Sequence, residues 1–244
     1  MRVFAYYSKE DEIEYRWNTI LQFQESWEVI GTVIMKNPGS AYPLQTEISD
    51  STLEMLNNFD SSDDWYEFKE DNTLLLIGKL FEELLGKELN GVIRVFNLFN
   101  VKDQDLNKAL VKLSQNKASK CFTVDNDIKH LCNPIYIGWG DLWKDKRLEF
   151  VAQKYFNAAA NLNSQRWYLS HRLEDKNNKY SHPQWLMGRG AHTLLSLLHR
   201  ARFRVNSPML TKTELCQVMR DLKSYPKTHE NAIKALERMI DNAN

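Results

Sequence analysis

Three short runs of apolar, largely β-branched residues constrain this chain more than any other feature: Glu28–Met35, Gly91–Asn97 and Pro134–Gly140. Each is shorter than an ordinary helix. Each is apolar at nearly every position rather than every second one, which suits a strand buried on both faces. Helical patterns separate them, over 73–85 with Gly86 as a stop, over 103–118, over 125–131 and over 144–160. Gln165–Ser170 offers a further strand. The alternation through 28–170 predicts an α/β fold of three layers, α/β/α, around a mostly parallel sheet of four to five strands. Upstream, Arg2–Ser8 and Tyr15–Phe23 read as strands. Residues 50–72, acidic and aromatic, read as a helix and an exposed loop. Beyond 206 the pattern is helical, broken by Pro208 and Pro226. The expected organisation is one domain over 1–205 with a helical extension over 206–244 packed on it.

Composition narrows the function classes. The chain has 244 residues, 43% of them apolar and 26% charged, the balance of a soluble globular protein. No apolar run approaches bilayer length, and Met1–Tyr7 lacks the features of a secretory signal. Cys121, Cys132 and Cys216 are widely spaced with no C-x-x-C pair, which argues against a metal cluster or a disulfide framework and for a reducing cytoplasm. No metal, no organic cofactor and no membrane partner are expected, and a monomer is favoured. The zero net charge hides a split. Residues 1–140 hold 14 Lys and Arg against 22 Asp and Glu, a balance of −8, and residues 141–244 hold 18 against 10, a balance of +8. A nucleic-acid partner would meet the C-terminal part first.

The buried runs end in polar or small clusters: Asn37-Pro38-Gly39, Asn97-Leu98-Phe99-Asn100 and Trp139-Gly140. A later loop reads Ser181-His182-Pro183-Gln184-Trp185-Leu186. In a parallel sheet all four gather on one rim, where such folds bind ligands. This order resembles the uracil-DNA glycosylase superfamily, over about residues 15–190. It is also similar to a bacterial family of unknown function with an Asn-Pro-Ser-Thr-Ala motif. The first resemblance implies a DNA partner and a monofunctional glycosylase that flips a base and cleaves its N-glycosidic bond.

That chemistry builds oxocarbenium character on the sugar and negative charge on the departing base. It needs a neutral donor aimed at the base, a role that fits His182, and a group that holds water beyond the sugar, a role that fits Asn37. An amide positions water without deprotonating it. Asn97 would read the base edge with one donor and one acceptor. Pro38 and Gly39 shape the pocket, Tyr42 would stack on the base, and either Trp185 or Leu186 would fill the vacated space. Ser40, Arg189, Arg200, Arg202 and Arg204 would hold phosphates. Gly39 stands where the uracil-specific enzymes carry a Tyr that blocks carbon 5. The resemblance therefore implies a 5-substituted pyrimidine, modified phage cytosine among the options, with antiviral defence as one role. Gln184 departs from the Ser that follows His-Pro in those enzymes. Trp139 fits core or rim packing better than ligand contact. A catalytically dead binding module of the same fold, and an N-glycosidase acting on free nucleosides or nucleotides, remain alternatives.

Overall fold

The computed structural model describes residues 1–60, 64–85, 87–116, 119–139, 146–162 and 166–168. They form a mixed α/β fold around a seven-stranded sheet. The strands are β1 (Arg2–Glu10), β2 (Ile13–Phe23), β3 (Val29–Met35), β4 (Trp65–Phe68), β5 (Gly91–Asn97), β6 (Ile135–Ile137) and β7 (Arg166–Tyr168). The helices are α1 (Asp50–Asn57), α2 (Asn72–Leu85), α3 (Leu106–Gln115), α4 (Val124–Asp127) and α5 (Lys146–Asn161).

The sheet order is β4-β1-β2-β5-β3-β6-β7. The block β5-β3-β6-β7 is parallel, as the buried apolar runs require. The pairings β1–β4, β1–β2 and β2–β5 are antiparallel. The expectation of a mostly parallel sheet of four to five strands is therefore corrected to a mixed sheet of seven. The reason is local. Two residues join β1 to β2, and Asp11 takes a left-handed φ of 50°, a conformation that Asp tolerates in a tight hairpin turn. A hairpin can only be antiparallel, and β2 carries that direction onto the flank of β5. The segment expected as an exposed loop supplies β4, whose Trp65 and Phe68 are buried while Tyr66 faces out.

Caps set where the helices begin. Ser49 Oγ accepts from the Thr52 amide at α1, and Asp105 accepts from Asn107 and Lys108 at α3. Asp71 Oδ1 accepts from the Leu74 amide at 2.9 Å, so α2 is capped from the residue just before it.

Side-chain alternation along β3 divides the core. Val33 and Met35 pack with Ile93 and Val95 of β5 and with Leu74, Ile77 and Phe81 of α2. Ile34 packs with Phe96, Ile135 and Ile137 and with residues of α3 and α5, Ala109, Leu113, Leu148 and Tyr155 among them. Burying each large aliphatic or aromatic side chain is worth about 1.5–3 kcal/mol, so the parallel block is held from two faces. β5 starts at Gly91, at φ 143°, where the Val92 amide donates to Glu28 O at 2.7 Å. Among the described residues no helix is long and apolar enough to cross a membrane.

Candidate functional site

The carboxyl ends of β3 and β5 lie side by side, with Met35 opposite Asn97 in the parallel register. The chain leaving each strand is pinned to the other. The Leu98 amide donates to Met35 O at 2.9 Å and the Phe99 amide to Lys36 O at 3.3 Å. This fixes Lys36–Gly39 over the sheet edge and opens a cleft of about 130 Å³. A cavity of about 150 Å³ accepts a benzene ring, so the space is the size of one aromatic ring. Met35, Thr19, Val95, Arg16 and Asn97 come from the sheet. Asp71, Thr73, Leu74 and Ile77 come from the start of α2, Lys36, Asn37, Gly39, Asp103 and Gln104 from the two loops, and Leu106 from the start of α3.

Asn37 is held in one orientation. Its Nδ2 donates to Pro38 O at 3.0 Å and to Asp103 O at 3.2 Å. Both amide protons are thereby committed, and Oδ1 remains an acceptor with no partner among the described residues. Asp103 is itself braced. Burial pushes its carboxyl up, but the Lys112 ammonium at 2.8 Å and the Asp105 amide outweigh that and hold it below the usual range.

Asn97 is 6% exposed, and its carboxamide makes no hydrogen bond among the described residues. Its amide atoms keep surface on the cleft wall, where a ligand can pair with them. Asn100, three residues on, behaves otherwise. Its Nδ2 donates to Lys120 O and to Thr123 Oγ1 at 2.9 Å, which makes it a brace.

Gly39 lines the cleft, but the space beside it is not empty. A Cβ there would come within 3.1 Å of Asp71 Oδ2. The absence of a side chain at Gly39 thus lets the cap carboxylate of α2 reach the cleft. Pro38 is buried and Ser40 half-buried, and neither lines the cleft. Tyr42 also lies outside the lining. It is 64% exposed, and the Lys102 ammonium sits 3.5 Å from its ring centroid. Trp139 is buried in the core beside Ile137. Gly140, His182, Trp185, Leu186, Arg189, Arg200, Arg202 and Arg204, with the extension over 206–244, lie outside the described residues. Among the described residues no group of three or more His, Cys, Asp or Glu is placed to hold a metal.

Arg16 is among the lining residues that sequence reasoning missed, with Thr19, Asp71, Thr73 and Gln104. It is 4% exposed, its Nε and Nη1 have no acceptor, and its guanidinium lies 5.3 Å from the Phe68 ring centroid.

Beneath Asn97 runs a buried polar chain. The Tyr155 hydroxyl is 3.3 Å from Asn97 O and 2.5 Å from Asp127 Oδ2, and Thr123 Oγ1 donates to the same carboxyl at 2.8 Å. Burial raises the Asp127 pKa to about 6, against the lowering effect of these hydrogen bonds and of Arg94. A raised folded pKa means that the neutral acid favours the fold. That stability is complete below the unfolded value near 3.8 and is lost as pH rises through about 6. Denaturant titrations from pH 4 to pH 7 are expected to show a fall of at most about 3 kcal/mol from this group. Asp127→Asn removes that slope; an unchanged slope in the variant contradicts the assignment.

No family model, no curated protein and no solved structure matches this chain.

Proposed function

We propose that the chain is a monofunctional DNA glycosylase on a three-layer α/β/α frame, acting in the cytoplasm on a flipped, 5-substituted pyrimidine. The observation that carries this reading is the pair of carboxamides, Asn37 and Asn97, on one ring-sized cleft at the carboxyl ends of neighbouring parallel strands. The free Oδ1 of Asn37 suits an acceptor for a water proton. The unpaired carboxamide of Asn97 suits a reader of a base edge.

In this mechanism the bond from the sugar's anomeric carbon to the base nitrogen breaks, and its electron pair leaves with the base. A water held at Asn37 adds its oxygen to that carbon. Its surplus proton goes to the departing base or to solvent, because an amide cannot take it. His182 donates to the base oxygen that gains charge. Arg189, Arg200, Arg202 and Arg204, in the basic C-terminal part, take phosphates, and Trp185 or Leu186 fills the gap in the stack. The −8/+8 division of charge favours a polymer over a free nucleoside. Defence against phage carrying modified cytosine is one role for such an enzyme.

The test is mass analysis of bases released from uracil, thymine-mismatch and modified-cytosine DNA. Release of a 5-substituted pyrimidine is the expected result. Exclusive release of plain uracil refutes the substrate, and binding with no release from any DNA points to an inactive module.

A further inference from the structure

A buried guanidinium without an acceptor is costly. Desolvation weakens the hold of Arg16 on its proton, and the nearby Asp71 carboxylate restores part of it. Yet Asp71 makes no ion pair with Arg16 among the described residues; its Oδ1 is spent on the Leu74 amide. Arg16 keeps its charge, since a guanidinium is not deprotonated in proteins. Half-satisfied buried cations of this kind lower stability unless something else pairs with them. Among the polar residues that line the cleft, Thr19, Arg16 and Asn97 are the most buried, at 2%, 4% and 6% exposure, whereas Asn37 and Gly39 are only half-buried. Arg16 and Asn97 line the same cleft as Asn37; Nε and Nη1 of Arg16 have almost no accessible surface, so a ligand reaches them once the guanidinium shifts toward the cleft.

We infer that Arg16 reads the flipped base, selecting an edge with two adjacent acceptor atoms, as in cytosine-type bases, over the uracil type. The inference rests on the glycosylase reading above and names its substrate class. The planar fork of arginine donates two parallel N–H groups and matches two neighbouring acceptors. Cytosine presents O2 and N3 side by side as such a pair. Uracil places an N–H at N3, which would meet a guanidinium N–H head on. The Asn97 carboxamide supplies the acceptor that the exocyclic amine of cytosine requires. As the base departs, O2 gains negative charge, so the Arg16 contact strengthens along the reaction.

The test uses the full chain and four non-cleavable duplex probes. Each carries a 2′-fluoroarabino nucleotide opposite a tetrahydrofuran gap, so that no base pair is lost on flipping. The base is cytosine or uracil, with hydrogen or hydroxymethyl at carbon 5, and an unmodified duplex is the control. At a fixed carbon-5 substituent the wild type is expected to favour cytosine by about tenfold or more, the discrimination of a good bidentate contact. Arg16→Met and Arg16→Lys are both expected to erase that preference. Arg16→Met should leave the Tm of the free protein unchanged or higher, because an unpaired buried charge is removed. A preference retained in both variants, or a lowered Tm with the preference intact, makes Arg16 a structural cation and overturns the inference while the glycosylase reading stands. Inorganic phosphate displacing all four probes equally from wild type but not from Arg16→Met marks a phosphate clamp and also overturns it. Failure of the wild type to bind any probe above the control overturns both.

Discussion

Asn37→Ala is expected to lower base release by about 100-fold or more while DNA affinity changes little. In the proposed mechanism the side chain acts on a water beyond the sugar, and misplacing a reacting group by about 1 Å costs on that order. His182→Ala should lose release comparably, with affinity again largely kept, because a donor aimed at developing charge contributes about 10²–10³. Counting alkali-labile sites alongside binding separates the two quantities. Loss of binding in step with release would make Asn37 a structural residue and sink the assignment. Asn37→Asp is the sharper variant. A carboxylate is the better base for water, but here it would set its oxygens against Pro38 O and Asp103 O, which now accept from Nδ2. The expected result is therefore no gain in rate at neutral pH. A large gain would show that the loop re-forms around a charge and that its two carbonyls do not select an amide.

Gly91→Ala is expected to be the most damaging single methyl in the parallel block. A Cβ at Gly91 would sit 2.6 Å from Glu28 O and 2.5 Å from Ile30 Cγ2, at a φ of 143° that side chains rarely adopt. Backbone strain and overpacking each cost about 1–3 kcal/mol, so about 3 kcal/mol or more is expected together. For a chain of this size that is a fall in Tm of about 6–12 °C. Thermal melts followed by circular dichroism check it. A shift within a degree or two would mean that the β3–β5 start is looser than its hydrogen bond from Val92 to Glu28 implies.

The parallel block was legible because burial on two faces forces uninterrupted apolar runs. β3 and β5 begin and end where those runs do, and Asn37 and Asn97 stand just where they stop. The antiparallel half was not. Tyr15–Phe23 shows a strand but not its neighbour, because register against β5 is set by contacts some 75 residues away in sequence. β4 hides in an acidic stretch and is only four residues long. Arg16 escaped for a related reason. In a regular strand Tyr15 and Arg16 would face opposite sides, one of them toward water, yet both are buried. The sheet is covered on two sides here, and Asn18, at φ 50°, breaks the alternation that a pattern reader relies on. Nothing local separates such an arginine from an ordinary surface one. The carboxamide of Asn97 posed the reverse case: its position was readable, but its lack of a partner was not.

The hairpin of β1 and β2 has one more consequence. It brings Arg16 and Thr19 to a cleft that Asn37 reaches from the loop after β3, so under the proposed mechanism discrimination and bond cleavage would reside on different stretches of polypeptide. Exchange of residues 13–19 between related proteins would then redirect such an enzyme to another base without disturbing Asn37. If that mechanism holds, a lineage facing changing chemical disguises on foreign DNA could diversify one ribbon and leave the Asn37 loop untouched.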